Sequence, residues 1–143
     1  MVGFRRWLQR HGYLTPHFTL AEAASKDGTS IPRSMIRSAR NHAFNLEQMR
    51  HATGDKSIPI ISWYRSPAHN AAVGGASGSL HMRAVATDHP RSWSATVRYG
   101  GRVGEAACDA LAGRFFANGG YGDYPSGAVH FDSRGYRSRW SSF

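Results

Sequence analysis

The chain has 143 residues, enough for one domain with its own core, and 41% hydrophobic against 19% charged residues points to a globular fold rather than disorder. A formal charge of +9 favours an anionic partner, nucleic acid or a cell wall; the arginines are scattered with no recognition-helix or zinc-finger pattern, which disfavours nucleic acid. Cys108 is the only cysteine, so an intrachain disulfide and a cysteine-based zinc cluster are both excluded.

The opening "MVGFRRWLQRHGYL" is too polar for the apolar segment of a signal peptide, and no stretch approaches the roughly 20 apolar residues of a membrane span. "TLAEAAS" begins with a capping box, Thr19 and Glu22, and predicts a short helix over about 20–25. Met35, Ala39, Ala43, Leu46 and Met49 recur at helical spacing and predict a long helix over about 32–53, stopped at Gly54, that backs the core. His42 and His51 on that helix are expected to be partly exposed.

"SIPIISWY" is β-branched and short, as a buried strand would be. "RSPAHNAAVGGASGS" reads as a long loop of small residues, of the kind that is either functional or disordered. "AVATD" is a candidate strand. A third helix is predicted over about 105–118, with Cys108, Leu111 and Phe115 on one face. "GAVHFDS" alternates Val129 and Phe131 against His130 and Asp132, a strand pattern. Helices and short strands without repeats or a linker make one α+β domain over residues 1–143.

His81, Asp88 and His130 are a suitable donor set for a catalytic metal, two imidazoles and one carboxylate. Seven residues of extended chain would span about 23 Å, so the chain has to turn between His81 and Asp88 for both to reach one ion. Unrelated polar residues would fit the same spacing.

The stretch "SWYRSPAHNAAVGGASGSLHMRAVATD" resembles the core signature of the zinc D,D-carboxypeptidases and peptidoglycan endopeptidases that share the hedgehog/DD-peptidase fold. The matching positions are Ser62, Tyr64, Arg65 and Ser66, then Ser79, His81, Ala84, Ala86 and Asp88. "GGYGDYPSGAVHFD" is similar to a late motif of one branch, and the likeness runs from about Phe18 to Trp140. Ala84 stands where the family commonly has glycine.

The resemblance implies a small, mostly antiparallel sheet with packed helices and a zinc cleft on its open face. It implies that His81, Asp88 and His130 hold Zn²⁺, and that Arg65 binds a substrate carboxylate or steadies a developing oxyanion. Ser79 and Tyr64 are its further substrate-binding candidates, although Ser79 reads equally as a turn hydroxyl and Tyr64 reads better as a buried aromatic. Many relatives carry an acid three residues before the last histidine; here that residue is Gly127. Asp132 is the first choice in its place, as a base or as a group that orients a ligand, and Asp123 is the second. His89 is expected to face away from the metal.

The implied partner is peptidoglycan, its stem peptides or cross-links, in an anionic wall. A short basic wall hydrolase without a signal peptide suggests a bacteriophage lysin or a virion-borne hydrolase among other virion subunits. The alternatives are a zinc-holding module that binds wall peptides without cutting them and a basic structural component of a virion.

Overall fold

A computed structural model describes residues 2–141. The chain begins with helix α1 (Val2–Arg10), followed by the short pair β1 (Tyr13–Thr15) and β2 (Phe18–Thr19). Thr19 then caps α2 (Leu20–Ala23): its hydroxyl accepts from the Glu22 amide at 3.0 Å, and its own amide donates to Glu22 Oε1 at 2.9 Å. The predicted capping box is present on both sides.

The long helix α3 (Ile36–Ala52) follows a 3₁₀ turn, Arg33–Met35. Ala39, Ala43, Leu46 and Met49 are buried along its inner face, as the spacing predicts. His42 is buried with them, against expectation, because it lies three residues after Ala39 and four before Leu46 on the same stripe. The "SIPIISWY" stretch is not a strand: it makes only the isolated bridge Ser62–Asp88, and its Pro59 has no amide to give to a ladder. The loop of small residues contains a helix, α4 (Pro67–Ala72), with Ser66 as cap and Pro67 in its first turn.

The main sheet has order β3-β7-β6-β8. Strands β3 (Ala86–His89), β7 (Val129–Asp132) and β6 (Gly120–Asp123) are antiparallel neighbours, and β8 (Ser138–Ser141) runs parallel to β6. Between β3 and β6 lie α5 (Arg91–Ser94), the hairpin β4 (Arg98–Tyr99) and β5 (Arg102–Val103), and α6 (Glu105–Phe115). Cys108 and Leu111 of α6 are fully buried. One face of the sheet packs on α3 and α6 through Phe131, Val129 and Tyr121. The mixed helix-and-sheet architecture is the α+β class expected.

A polar chain crosses this otherwise apolar core. Its directions follow from its two fixed ends. Pro59 C=O can only accept, so His89 Nδ1–H donates to it at 2.9 Å. His89 Nε2 is then an acceptor, and the Thr87 hydroxyl donates to it at 2.8 Å. Thr87 Oγ1 in turn accepts from His42 Nε2–H at 2.9 Å. His42 Nδ1 is left to accept from Ser133 Oγ–H at 2.7 Å, and Ser133 Oγ accepts from the Asn45 amide at 3.1 Å. In this alignment each group donates once down the line, as two neutral imidazoles with fixed tautomers do. Burial holds both below the ordinary imidazole pKa, His89 at about 4.

Candidate metal centre

Three segments meet at the open face of the sheet. Ser79 caps a 3₁₀ turn, Leu80–Arg83, by accepting from the His81 amide at 3.3 Å. Ala84 ends the turn in the left-handed region, with φ 61°, and sends the chain back as β3. This is the turn that the His81–Asp88 spacing requires, and its left-handed backbone is one a glycine at position 84 would adopt most easily. The Arg65 amide donates to His81 C=O at 3.0 Å and Trp63 Nε1–H donates to Ala84 C=O at 2.8 Å, so the "SWYR" segment holds the turn in place. In the β3–β7 register Asp88 faces His130 directly.

The donor atoms of His81, Asp88 and His130 lie within 4.8 Å of one another, and all three residues are buried. The ring of each histidine is tied on its far side. His81 Nδ1–H donates to Trp63 C=O at 2.7 Å, which leaves a lone pair on Nε2. That Nε2 is buried and makes no hydrogen bond, although Asp88 Oδ2 is 3.1 Å away. His130 Nε2–H donates to Asp132 Oδ2 at 2.7 Å, which turns Nδ1 toward Asp88 Oδ1 at 3.0 Å. Burial opposes protonation of His130, but Asp132 and Asp88 outweigh it and raise its pKa, so a proton on Nδ1 can serve Asp88 Oδ1 in the metal-free chain; the buried His81 Nε2 lone pair facing Asp88 Oδ2 has no such partner, and that orphaned nitrogen implies a cation. The residues fit a metal ion. Burial raises the Asp88 pKa, but His130 and His81 outweigh it and hold the carboxyl well below its usual range, so Asp88 is ionised.

Asp132 is fully buried beneath His130. Its Oδ1 accepts from the Gly120 amide at 2.8 Å, the Arg134 amide at 3.1 Å and Arg134 Nε at 2.9 Å, and its Oδ2 accepts from Arg134 Nη2 at 2.8 Å. No oxygen is left to shuttle a proton at the cleft. Of the two roles considered for Asp132, only the orienting one has this geometry. Burial opposes its ionisation, yet His130 and Arg134 keep its pKa depressed.

Asp123 is not at the site, contrary to its place among the catalytic candidates. It pairs with Val129, so it points to the opposite face of the sheet from His130. Tyr64 is also misplaced as a substrate contact: it is buried in the core, with its amide bonded to Ala23 C=O. His89 faces away from the site, as alternation on β3 demands.

The cleft above the donors has a volume of about 360 Å³, and Arg65, Ser79, His81, Tyr124, His130 and Trp140 are among its lining. Arg65 reaches Asp88 Oδ2 at 3.4 Å and Asn70 Oδ1 at 3.4 Å. A side chain at Gly75 would collide with Asn70 and crowd Arg65, which explains part of the glycine-rich run. Among the cleft residues that escaped the sequence reading, two touch the metal-donor residues. Tyr124 donates its hydroxyl to Asp88 Oδ1 at 3.1 Å, and burial together with Asp88 raises its pKa, so it stays a donor. Trp140 packs against His130 at 5.3 Å and Tyr124 at 5.4 Å between ring centres. The β6–β8 register puts it beside Gly122, where any side chain would overlap its indole.

Comparison with known proteins agrees with this geometry. Over a stretch of 45 residues the chain is 49% identical to the zinc D-Ala-D-Ala carboxypeptidase of Streptomyces albus G. That stretch is 32% of this chain and spans only 18% of the relative's length. The Peptidase M15 family model matches residues 13–96, more than half of the sequence, and takes in the 3₁₀ turn, β3 and the segment that clasps them. The chain belongs to the Peptidase M15 family.

Proposed function

We propose that this protein is a zinc-dependent peptidase that hydrolyses a peptide bond in peptidoglycan stem peptides or cross-links, as a D,D-carboxypeptidase or an endopeptidase. The observation that carries the reading is the convergence of His81 Nε2, Asp88 and His130 Nδ1, each held from behind, on the floor of a cleft that also contains Arg65. The carboxypeptidase relative supports the substrate class. Zinc, when bound, supplies a Lewis acid and a water whose pKa falls toward ~7.

The chain's own groups do the rest. Asp132 fixes the His130 tautomer so that Nδ1 keeps its lone pair. Trp63 C=O does the same for His81. Arg65 offers a permanent cation for the substrate carboxylate or the developing oxyanion. The Tyr124 hydroxyl, whose proton is given to Asp88, keeps lone pairs that can accept from a bound substrate. Trp140 and Tyr136 give the cleft an aromatic wall for peptide side chains. The charge of +9 suits an anionic wall, which a lysin or a virion-borne hydrolase would meet from inside or outside the cell.

The test is a digest of purified peptidoglycan read by mass spectrometry, with zinc-loaded, chelated and His81→Ala protein, alongside metal analysis of each. Defined fragments or D-alanine released only by the zinc-loaded native chain bear out the proposal. Zinc retained with no product from several wall types would favour a module that binds without cutting.

A further inference from the structure

Helix α1 carries a surface that neither the core nor the cleft uses. Leu8 is buried against the body, but Phe4 is 50% and Trp7 47% exposed. Phe4, Trp7 and His11 follow one another at spacings of three and four, so they form one stripe. Their rings stack in series, Phe4 on Trp7 with centres 6.4 Å apart and Trp7 on His11 at 4.2 Å. His11 Nδ1–H donates to Trp7 C=O at 2.7 Å and locks the end of the ladder. Arg5, Arg6 and Arg10 are exposed around the stripe, the helix has no acid, and among the described residues none of these three arginines forms an ion pair. Two large aromatics held rigid in water are a cost that folding alone does not explain.

We propose that α1 is a docking surface for an anionic phospholipid bilayer, lying in the plane of the interface with Phe4 and Trp7 turned into the headgroup region. The arginines supply charge complementarity, and an aromatic face flanked by cations is the pattern of an interfacial helix. A soluble polyanion would satisfy the arginines but leave the aromatic stripe in water; a bilayer surface satisfies both. Among the described residues no helix is long and apolar enough to cross a membrane, and the proposal concerns attachment through α1 alone. This inference does not depend on the peptidase reading.

The experiment is co-sedimentation of the full chain with vesicles of phosphatidylcholine alone, and of phosphatidylcholine mixed with phosphatidylglycerol. Native protein should pellet with the mixed vesicles and not with the neutral ones. Phe4→Ser/Trp7→Ser should weaken binding about tenfold or more, and each of Arg5→Gln, Arg6→Gln and Arg10→Gln about fivefold. All these positions are exposed, and circular dichroism with an unfolding midpoint verifies that the variants fold. Vesicle binding unchanged in the aromatic double variant would overturn the proposal, since the charge of the whole chain would then suffice. Absence of binding to mixed vesicles would overturn it too. Tight binding to soluble polyphosphate that depends equally on Phe4 and Trp7 would instead make α1 a polyanion surface.

Discussion

Asp132→Asn separates a structural acid from one that tunes the metal site. The substitution conserves shape. Asn Oδ1 can still accept from the Gly120 amide and from Arg134, but an amide –NH₂ would replace the oxygen that accepts from His130 Nε2–H and Arg134 Nη2–H. Donor then faces donor in a fully buried place. His130 is relieved only by moving its proton to Nδ1, the atom that faces Asp88. The loss of a buried charge partner should cost about 3 kcal/mol of stability, and the wrong tautomer should weaken zinc binding about 10- to 100-fold. Urea unfolding with chelator present reads the first, and competition with a chromophoric chelator on folded protein reads the second. Arg134→Gln, which leaves the His130–Asp132 bond in place, should lower stability with a smaller effect on zinc. If Asp132→Asn loses stability yet binds zinc as tightly as the native chain, Asp132 does not set the His130 tautomer and the reasoning fails.

Three further outcomes follow from the packing. Gly122→Ala forces the Trp140 indole off His130, and overpacking of this kind costs about 1–3 kcal/mol, so the urea midpoint should fall and the cleft should change together. Thr19→Ala removes one half of the capping box and should cost about 1 kcal/mol in the same assay, without altering zinc affinity. For pH, His42 and His89 are neutral in the fold and take up protons on unfolding. The stability they confer is therefore full above their ordinary pKa near 6.5 and drains as pH falls toward the folded value of about 4 for His89, by up to about 1.4 kcal/mol per pH unit for each. The groups acting on His42 are His89, Asp132, His130 and His81; only Asp132 opposes the shift, and His130, raised in the fold, is protonated in both states across most of that window. Urea unfolding of the metal-free protein against pH measures it, and a flat profile from about pH 6.5 to 4 would show that the buried pair is charged.

Features with a strong local period were legible in the sequence. The apolar face of α3 announces itself through five spaced residues, and the Thr19–Glu22 box through chemistry confined to one turn. The metal-site triad was readable because each member lies in a motif with its own order. Side-chain direction across a turn was not. Asp123 and His130 belong to strands joined by a tight connection, and alternation cannot be carried over it without the register that pairs Asp123 with Val129. Tyr124 was missed for the same reason. Helix α4 was hidden because small residues read as loop, although Ser66 followed by Pro67 is a helix start. The burial of His42 could have been read from the helix stripe. What could not be read was the set of hydroxyls, from Thr87 and Ser133, that makes a buried imidazole tolerable there.

Strand β3 offers three consecutive side chains that could compete for one ion: Thr87, Asp88 and His89. The polar chain through the core claims Thr87 and His89 from beneath, and each is satisfied only in that alignment. A slip of one residue would present an imidazole or a hydroxyl to the cleft and drive a carboxylate into the pocket of His42. The inner face of the strand thus acts as a combination lock for the outer one. Metal identity is chosen by ligand chemistry, but which residue becomes the ligand is decided on the side of the sheet that no metal ever sees.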